Sequence, residues 1–169
     1  MTTSTRGTST DLRRLGLIFG LAGLAAGVDL AIKALVSTQL SSGEVLDWGL
    51  VSIRLVYNPG VAFSLGSTLP SWAVTVITGV IIAGLVSFLI VRLRRLNRVA
   101  VVAAALLLGG ALGNFIDRLD GRGVIDYLHT GWFATFNLAD VFVTTGVVIV
   151  ALAVFLGGQT SRPDDRGSG

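Results

Sequence analysis

Asp126 and Asp140 are the residues of this chain best suited to hydrolytic chemistry. Each is flanked by apolar neighbours, in the runs VIDYL (124–128) and FNLAD (136–140), with no Lys or Arg beside it. Two carboxylates brought together away from water cannot both ionise easily, so they share a proton and one acts as base, the other as acid. Such a pair activates a water against a peptide carbonyl, polarises that carbonyl and helps protonate the leaving amine. Competing chemistries have little to build on. The chain has no cysteine and one histidine, His129, which removes thiol nucleophiles and thiolate metal sites and argues against a histidine zinc site or a Ser-His-Asp triad. No metal and no cofactor is expected. On spacing alone a carboxylate pair is a weak signal, because a proton-coupled transporter also places aspartates in its spans, and a membrane chaperone or assembly factor would need neither residue.

Further polar residues fall where they should be costly. Asp29 and Lys33 are four apart, so they share one helix face. Asn114, Asp117 and Arg118 follow the same helical spacing, and Asn137 precedes Asp140 by three. All lie in or beside apolar stretches, where an ionisable residue at the bilayer centre costs about 2.5–3.5 kcal/mol on insertion scales. The apolar stretches are long enough to be membrane spans, since about 20 residues cross a bilayer as a helix. Four qualify: roughly 15–36, 72–91, 99–116 and 138–156. Composition agrees, for 52% of the 169 residues are hydrophobic and only 14% are charged, against roughly 25% charged in soluble domains. The first stretch has the arginine-flanked start of a signal peptide, but its length and its Asp29 and Lys33 mark it as an uncleaved span.

Cations set the orientation. Arg6, Arg13 and Arg14 precede the first span, Arg92, Arg94, Arg95 and Arg98 separate the second and third, and Arg162 and Arg166 follow the fourth. With four alternating spans these fall on one side, the cytoplasmic one, and both termini are inside. This topological reading accounts for the net charge of +3 without a nucleic-acid partner. Trp48, Trp72 and Trp132 then fall at the outer interface, like an aromatic belt. The polar groups of spans one, three and four converge at one depth near the outer leaflet, while span two has no internal charge and reads as a packing helix. Gly109 and Gly113 form a small-residue helix contact. His129, Glu44, Asp47 and Asp120 read as surface residues. Residues 1–11 and 158–169 read as disordered tails, leaving 12–157 as one membrane domain. Between spans one and two, VLDWGLVSIRLVYN (45–58) predicts one or two short strands, with Val51, Ile53, Leu55 and Tyr57 on one face. The segment 117–137 reads as a loop given mobility by Gly121, Gly123 and Gly131, a candidate lid. The fold expected is mainly α: four transmembrane helices, a small extracytoplasmic β-sheet and a short extracytoplasmic lid.

Five motifs in order carry a resemblance over about residues 12–157: Asp29 with Lys33, NPGVAF (58–63), GGALGNFIDR (109–118), VIDYL and FNLAD. On these the chain resembles bacterial lipoprotein signal peptidase, also called signal peptidase II. The resemblance implies that Asp126 and Asp140 are a catalytic aspartate dyad. It implies supporting roles for Asp29, Lys33, Asn58, Gly60, Asn114, Asp117, Arg118, Asn137 and Ala139, with Asn114, Arg118 and Asn137 holding substrate backbone or the dyad and Asp117 with Arg118 in a polar scaffold. It implies a prolipoprotein substrate, cut just before a diacylglyceryl-modified cysteine, and an otherwise monomeric enzyme in contact with membrane lipids. Two local features depart from the family pattern: Val61 stands where Ala is common, and the interval from Asp126 to Asp140 is short. A transporter or chaperone would not require these five motifs in this order.

Overall fold

The computed structural model describes residues 5–60, 69–93 and 96–159, without the side chains of 5–10 and 154–159. The side chain of Arg6, the residues Arg94, Arg95, Arg162 and Arg166, and positions 61–63 of the NPGVAF run lie outside that description. Four helices are joined by a small sheet: α1 (Thr5–Gln39), α2 (Ser71–Arg92), α3 (Arg98–Arg118) and α4 (Leu138–Gln159), with β1 (Val45–Asp47), β2 (Ser52–Asn58) and β3 (Val124–His129). The first three helices are long and apolar enough to cross a membrane, and α4 is apolar over Leu138–Ala153. The helix of α1 begins at Thr5, inside the segment expected as a tail, and residues 158–159 continue α4.

Local chemistry sets the helix ends. Asn97 caps α3, its side-chain oxygen accepting from the Ala100 N–H at 2.8 Å, which satisfies one of the donors that a helix start leaves unpaired. Pro70 precedes α2 in an extended conformation, a position where its missing N–H costs nothing. Arg14 donates from one guanidinium nitrogen to the carbonyls of Leu93 and Leu96, each at 3.3 Å, so the start of α1 is fastened to the link between α2 and α3.

Helix α3 is central and packs against α1 and α4 through small residues. A Cβ built at Gly109 would stand 2.7 Å from the Ala22 carbonyl oxygen and 2.7 Å from the Ala25 Cβ. One at Gly146 would stand 2.7 Å from the Ala103 carbonyl oxygen, and one at Gly110 would collide with the Ala139 carbonyl. Without water to drive apolar association inside a bilayer, such close backbone approach is what holds spans together. Gly109→Ala is therefore expected to destabilise the protein by about 1–3 kcal/mol, the range for overpacking. Thermal unfolding in detergent measures it, and an unchanged Tm would show that α1 and α3 can move apart freely.

The sheet is antiparallel in the order β1-β2-β3. The third strand comes from residues 124–129, within the segment expected as a loop, and only 130–136 remain as an irregular connection to α4. Ile53 and Leu55 pack, with Leu128 and Leu138, on Val36, Leu40 and Tyr127, which seats the sheet on the end of α1 and the start of α4. The register slips between Ile53 and Val56. Tyr57, expected on the same face as Ile53 and Leu55, is instead exposed, with the Arg122 guanidinium 5.3 Å from its ring centre.

Candidate active site

The run FNLAD starts α4 with a reciprocal cap. The Asn137 side-chain oxygen accepts from the Asp140 N–H at 2.9 Å, and the Asp140 Oδ2 accepts from the Asn137 N–H at 3.2 Å. This is the logic of a capping box, with Asn and Asp in the two places usually taken by Ser or Thr and Glu. It fixes the Asp140 side chain by the same bonds that begin the helix. The other oxygen of Asp140 accepts from the Asn114 Nδ2 on α3 at 2.8 Å.

Asp126 is 3% exposed, in the middle of β3. Its Oδ1 accepts from the Asn137 Nδ2 at 2.7 Å and its Oδ2 from the Asn58 Nδ2 at 2.9 Å. Asn58 ends β2 and turns the chain, its own oxygen accepting from the Gly60 N–H at 3.1 Å. The Asn137 Nδ2 also lies 3.1 Å from the Asn114 Oδ1. Two carboxamides thus join the two carboxylates: Asn114 holds Asp140, Asn137 holds Asp126, and each touches the other.

Beneath this pair is a buried ion cluster. Lys33 is 1% exposed and Asp29 0%. The Lys33 ammonium lies 2.7 Å from the Asp29 Oδ2, 2.8 Å from the Asp117 Oδ2 and 2.9 Å from the Asn114 Oδ1, so its three protons have three acceptors. Asp29 and Lys33, readable as a pair on α1, are joined here by Asp117 of α3. Asp29 turns its other oxygen to the Ala139 N–H at 2.9 Å, and Asp117 accepts from the Ile125 N–H at 3.1 Å. The cluster therefore ties α1 to the start of α4 and α3 to β3. Gly113 leaves room for it, since a Cβ there would stand 2.6 Å from the Asp29 Oδ2.

Both aspartates open onto one cavity of about 710 Å³, whose polar lining also includes Asn58, Gly60, Asn114, Arg118, Thr130, Thr135, Thr144 and Thr145. Val124, Phe133, Phe136, Val141 and Val143 make its apolar walls. Arg118 donates to the carbonyls of Asn114 at 2.9 Å and Gly60 at 3.4 Å, while its buried Nε meets no acceptor among the described residues. Every one of the eleven residues singled out in the sequence lies in this cavity or in the network behind it.

Sequence reasoning missed one cluster. Arg54, on β2, donates to the Thr135 Oγ1 at 2.8 Å and meets the His129 Nδ1 at 2.8 Å. His129, expected as a surface residue, is half-buried and shares this contact. The bonds tie the 130–136 connection, which forms a wall of the cavity, back to the sheet. The pairing spans 75 and 81 residues in sequence, so no local signal could have shown it.

Burial, with a smaller push from the charge of Asp140, raises the Asp126 carboxyl to about 6, against the pull of the hydrogen bonds from Asn58 and Asn137. An amide N–H favours the ionised form, so its loss favours the protonated one. Asn58→Ala is accordingly expected to shift the alkaline limb of any activity that needs this proton to higher pH, as read from a pH profile of kcat/KM. A shift to lower pH would mean that Asn58 acts on the site by another route.

Comparison with known proteins agrees with these observations. A family model described as signal peptidase (SPase) II matches residues 21–156. A lipoprotein signal peptidase of Rhodococcus jostii (strain RHA1) is 33% identical over 160 residues, covering 88% of this chain and 76% of that protein. One from Mesorhizobium japonicum is 39% identical over 138 residues, covering 79% of this chain and 82% of that protein. Among solved structures, a bacterial membrane enzyme determined by the in meso method at 2.3 Å resolution superposes with a TM-score of 0.73, at 28% identity, over 91% of this chain and 95% of that one.

Proposed function

The chain belongs to the signal peptidase II family of bacterial membrane proteases, which remove signal peptides from prolipoproteins, and from that footing we propose that it works as an aspartyl endopeptidase with Asp126 and Asp140 as its dyad. The observation that carries this reading is the pair of carboxylates lining one cavity, each held by carboxamides that also bind one another.

One carboxylate takes a proton from water as the oxygen adds to the scissile carbonyl carbon. The partner carboxyl, protonated, donates to the carbonyl oxygen and stabilises the charge that develops there. Collapse of the tetrahedral intermediate breaks the C–N bond: the amine leaves with the proton the base acquired, and the hydroxyl that re-forms the carbonyl returns its proton to the partner carboxylate. The dyad titrates as a pair, so its shared proton belongs to neither residue alone. Only water and two carboxyl groups are needed.

The other residues take roles that follow from their contacts. Asn114 and Asn137 orient the dyad. Asn58, Gly60 and Arg118 line the cavity where substrate backbone would lie, and the Arg118 Nε, which meets no acceptor among the described residues, suits a substrate carbonyl. Asp29, Lys33, Asp117 and the Ala139 N–H form the scaffold that fixes the helices around them. The peptidase unit is residues 12–157, acting as a monomer among membrane lipids. Both termini are cytoplasmic, the dyad sits near the outer leaflet, and the cut falls just before a diacylglyceryl-modified cysteine. A signal peptide is itself a membrane helix, and its lipid anchor would hold the scissile bond at that depth.

The test is cleavage of two purified precursors in detergent, identical except for the diacylglyceryl group on the cysteine. Cleavage of the modified precursor alone, leaving the lipidated cysteine as the new N-terminus, is expected. Equal cleavage of both, or a cut elsewhere, would overturn the specificity assigned here.

A further inference from the structure

The strand register puts two turns at one end of the sheet. Asp47 pairs with Ser52 and Ser52 with His129, so the β1–β2 turn and the start of the 130–136 connection emerge side by side. Trp48 is 70% exposed, Leu50 89% and Trp132, which also borders the cavity, 86%. Apolar side chains this large and this exposed, gathered at one edge, call for a partner.

The first of these turns is rigidly built. The Trp48 N–H donates to the Val51 carbonyl at 3.0 Å and the Leu50 N–H to the Trp48 carbonyl at 3.2 Å. The Asp47 carboxylate accepts from the Gly49 N–H at 2.8 Å, and Gly49 has a φ of 84° that a side chain would resist. The backbone bonds are satisfied internally, and Trp48 and Leu50 are left pointing away.

Position names the partner. The sheet rests on the last turns of α1 and the first of α4 through Ile53, Leu55 and Leu128. It is tethered to membrane-crossing helices by residues 40–44 and 119–123, which span at most about 3.3–3.6 Å per residue. The sheet therefore lies beside the ends of the spans, at the membrane surface. Charge narrows the lipid chemistry. Glu44 and Asp47 flank the first turn and residues 130–136 have no charge, while the nearest cation, Arg54, is half-buried and turned onto His129 and Thr135. An anionic headgroup would be repelled there, whereas the interfacial region of an uncharged leaflet takes Trp and Leu readily.

We propose that the sheet edge bearing Trp48, Leu50 and Trp132 inserts into the interfacial layer of a zwitterionic lipid leaflet and holds the sheet at a fixed depth. The insertion is apolar, so it needs no anionic lipid and is insensitive to salt. By holding β2 and β3 level with the bilayer it keeps the cavity mouth at one height relative to a membrane-embedded substrate.

The test uses the full chain with Trp72→Phe and Trp132→Phe, which leaves Trp48 as its one tryptophan, reconstituted in phosphatidylcholine vesicles. Expected are a blue-shifted emission, strong quenching by phosphatidylcholine brominated near the glycerol end of its chains, and acrylamide quenching several-fold below that of free tryptophan. Trp48→Ser with Leu50→Ser is expected to raise KM several-fold for a precursor in vesicles, leave kcat unchanged, and have no effect in detergent. Trp48 open to acrylamide and untouched by bromolipid would overturn the proposal. So would protection that disappears when the protein is diluted in lipid, which would make the partner a second copy of this chain, or quenching that requires anionic lipid.

Discussion

Asp126→Asn and Asp140→Asn are each expected to lower kcat by about 10³–10⁴-fold, the range for losing a general acid or base and more when the residues act as a unit. Asn has nearly the shape of Asp but cannot exchange a proton at neutral pH. The double variant should be about as inactive as either single one, because a dyad missing one member has little left to lose. Each substitution also has a structural cost. Both oxygens of Asp140 accept N–H groups, from Asn114 and from the Asn137 backbone, so the amide of an Asn there must face a donor. That costs about 1–3 kcal/mol, and single-turnover cleavage should be read beside thermal unfolding. Normal turnover by either variant would remove the dyad from the mechanism.

Lys33→Met is expected to cost the fold about 3–5 kcal/mol, the penalty for removing one partner of a buried ion pair. Met fills similar volume, so the loss is electrostatic. Asp29 and Asp117, which both point at the ammonium, would then face each other with no cation between them. Lys33→Arg should not restore stability, since a planar guanidinium cannot aim at three acceptors converging on one point. Unfolding of the three proteins in detergent, followed by circular dichroism, decides. A Lys33→Met protein with the parental Tm would show that the cluster is not held by its charge.

Helical features with local causes were legible in the sequence. Hydropathy placed the four helices to within a few residues over most of their ends, and the costly polar residues inside them pointed to one place because each is hard to explain singly. What stayed hidden depends on partners far along the chain. VIDYL is short, lies between glycines and carries an aspartate at its centre, so it resembled a loop. It becomes a strand only because β2 offers it an antiparallel edge. The slip between Ile53 and Val56 that turns Tyr57 outward breaks the simple alternation read from 51–57. The Arg54, His129 and Thr135 cluster is equally non-local. Even in FNLAD the aspartate was noticed as an acid, whereas its role as a helix cap depends on backbone N–H groups that the sequence does not show.

That double duty of Asp140 bears on how such a sequence can drift. In most enzymes a catalytic side chain can be lost and the fold survives, so inactive descendants accumulate from intact scaffolds. Here the residue that would do the chemistry also closes the first turn of α4, and its capping partner Asn137 also holds the second aspartate. A lineage that abandoned catalysis by losing Asp140 would also weaken the start of a membrane helix. Selection for a folded chain alone would therefore favour both letters, and their presence in a distant descendant would testify to architecture as well as to activity.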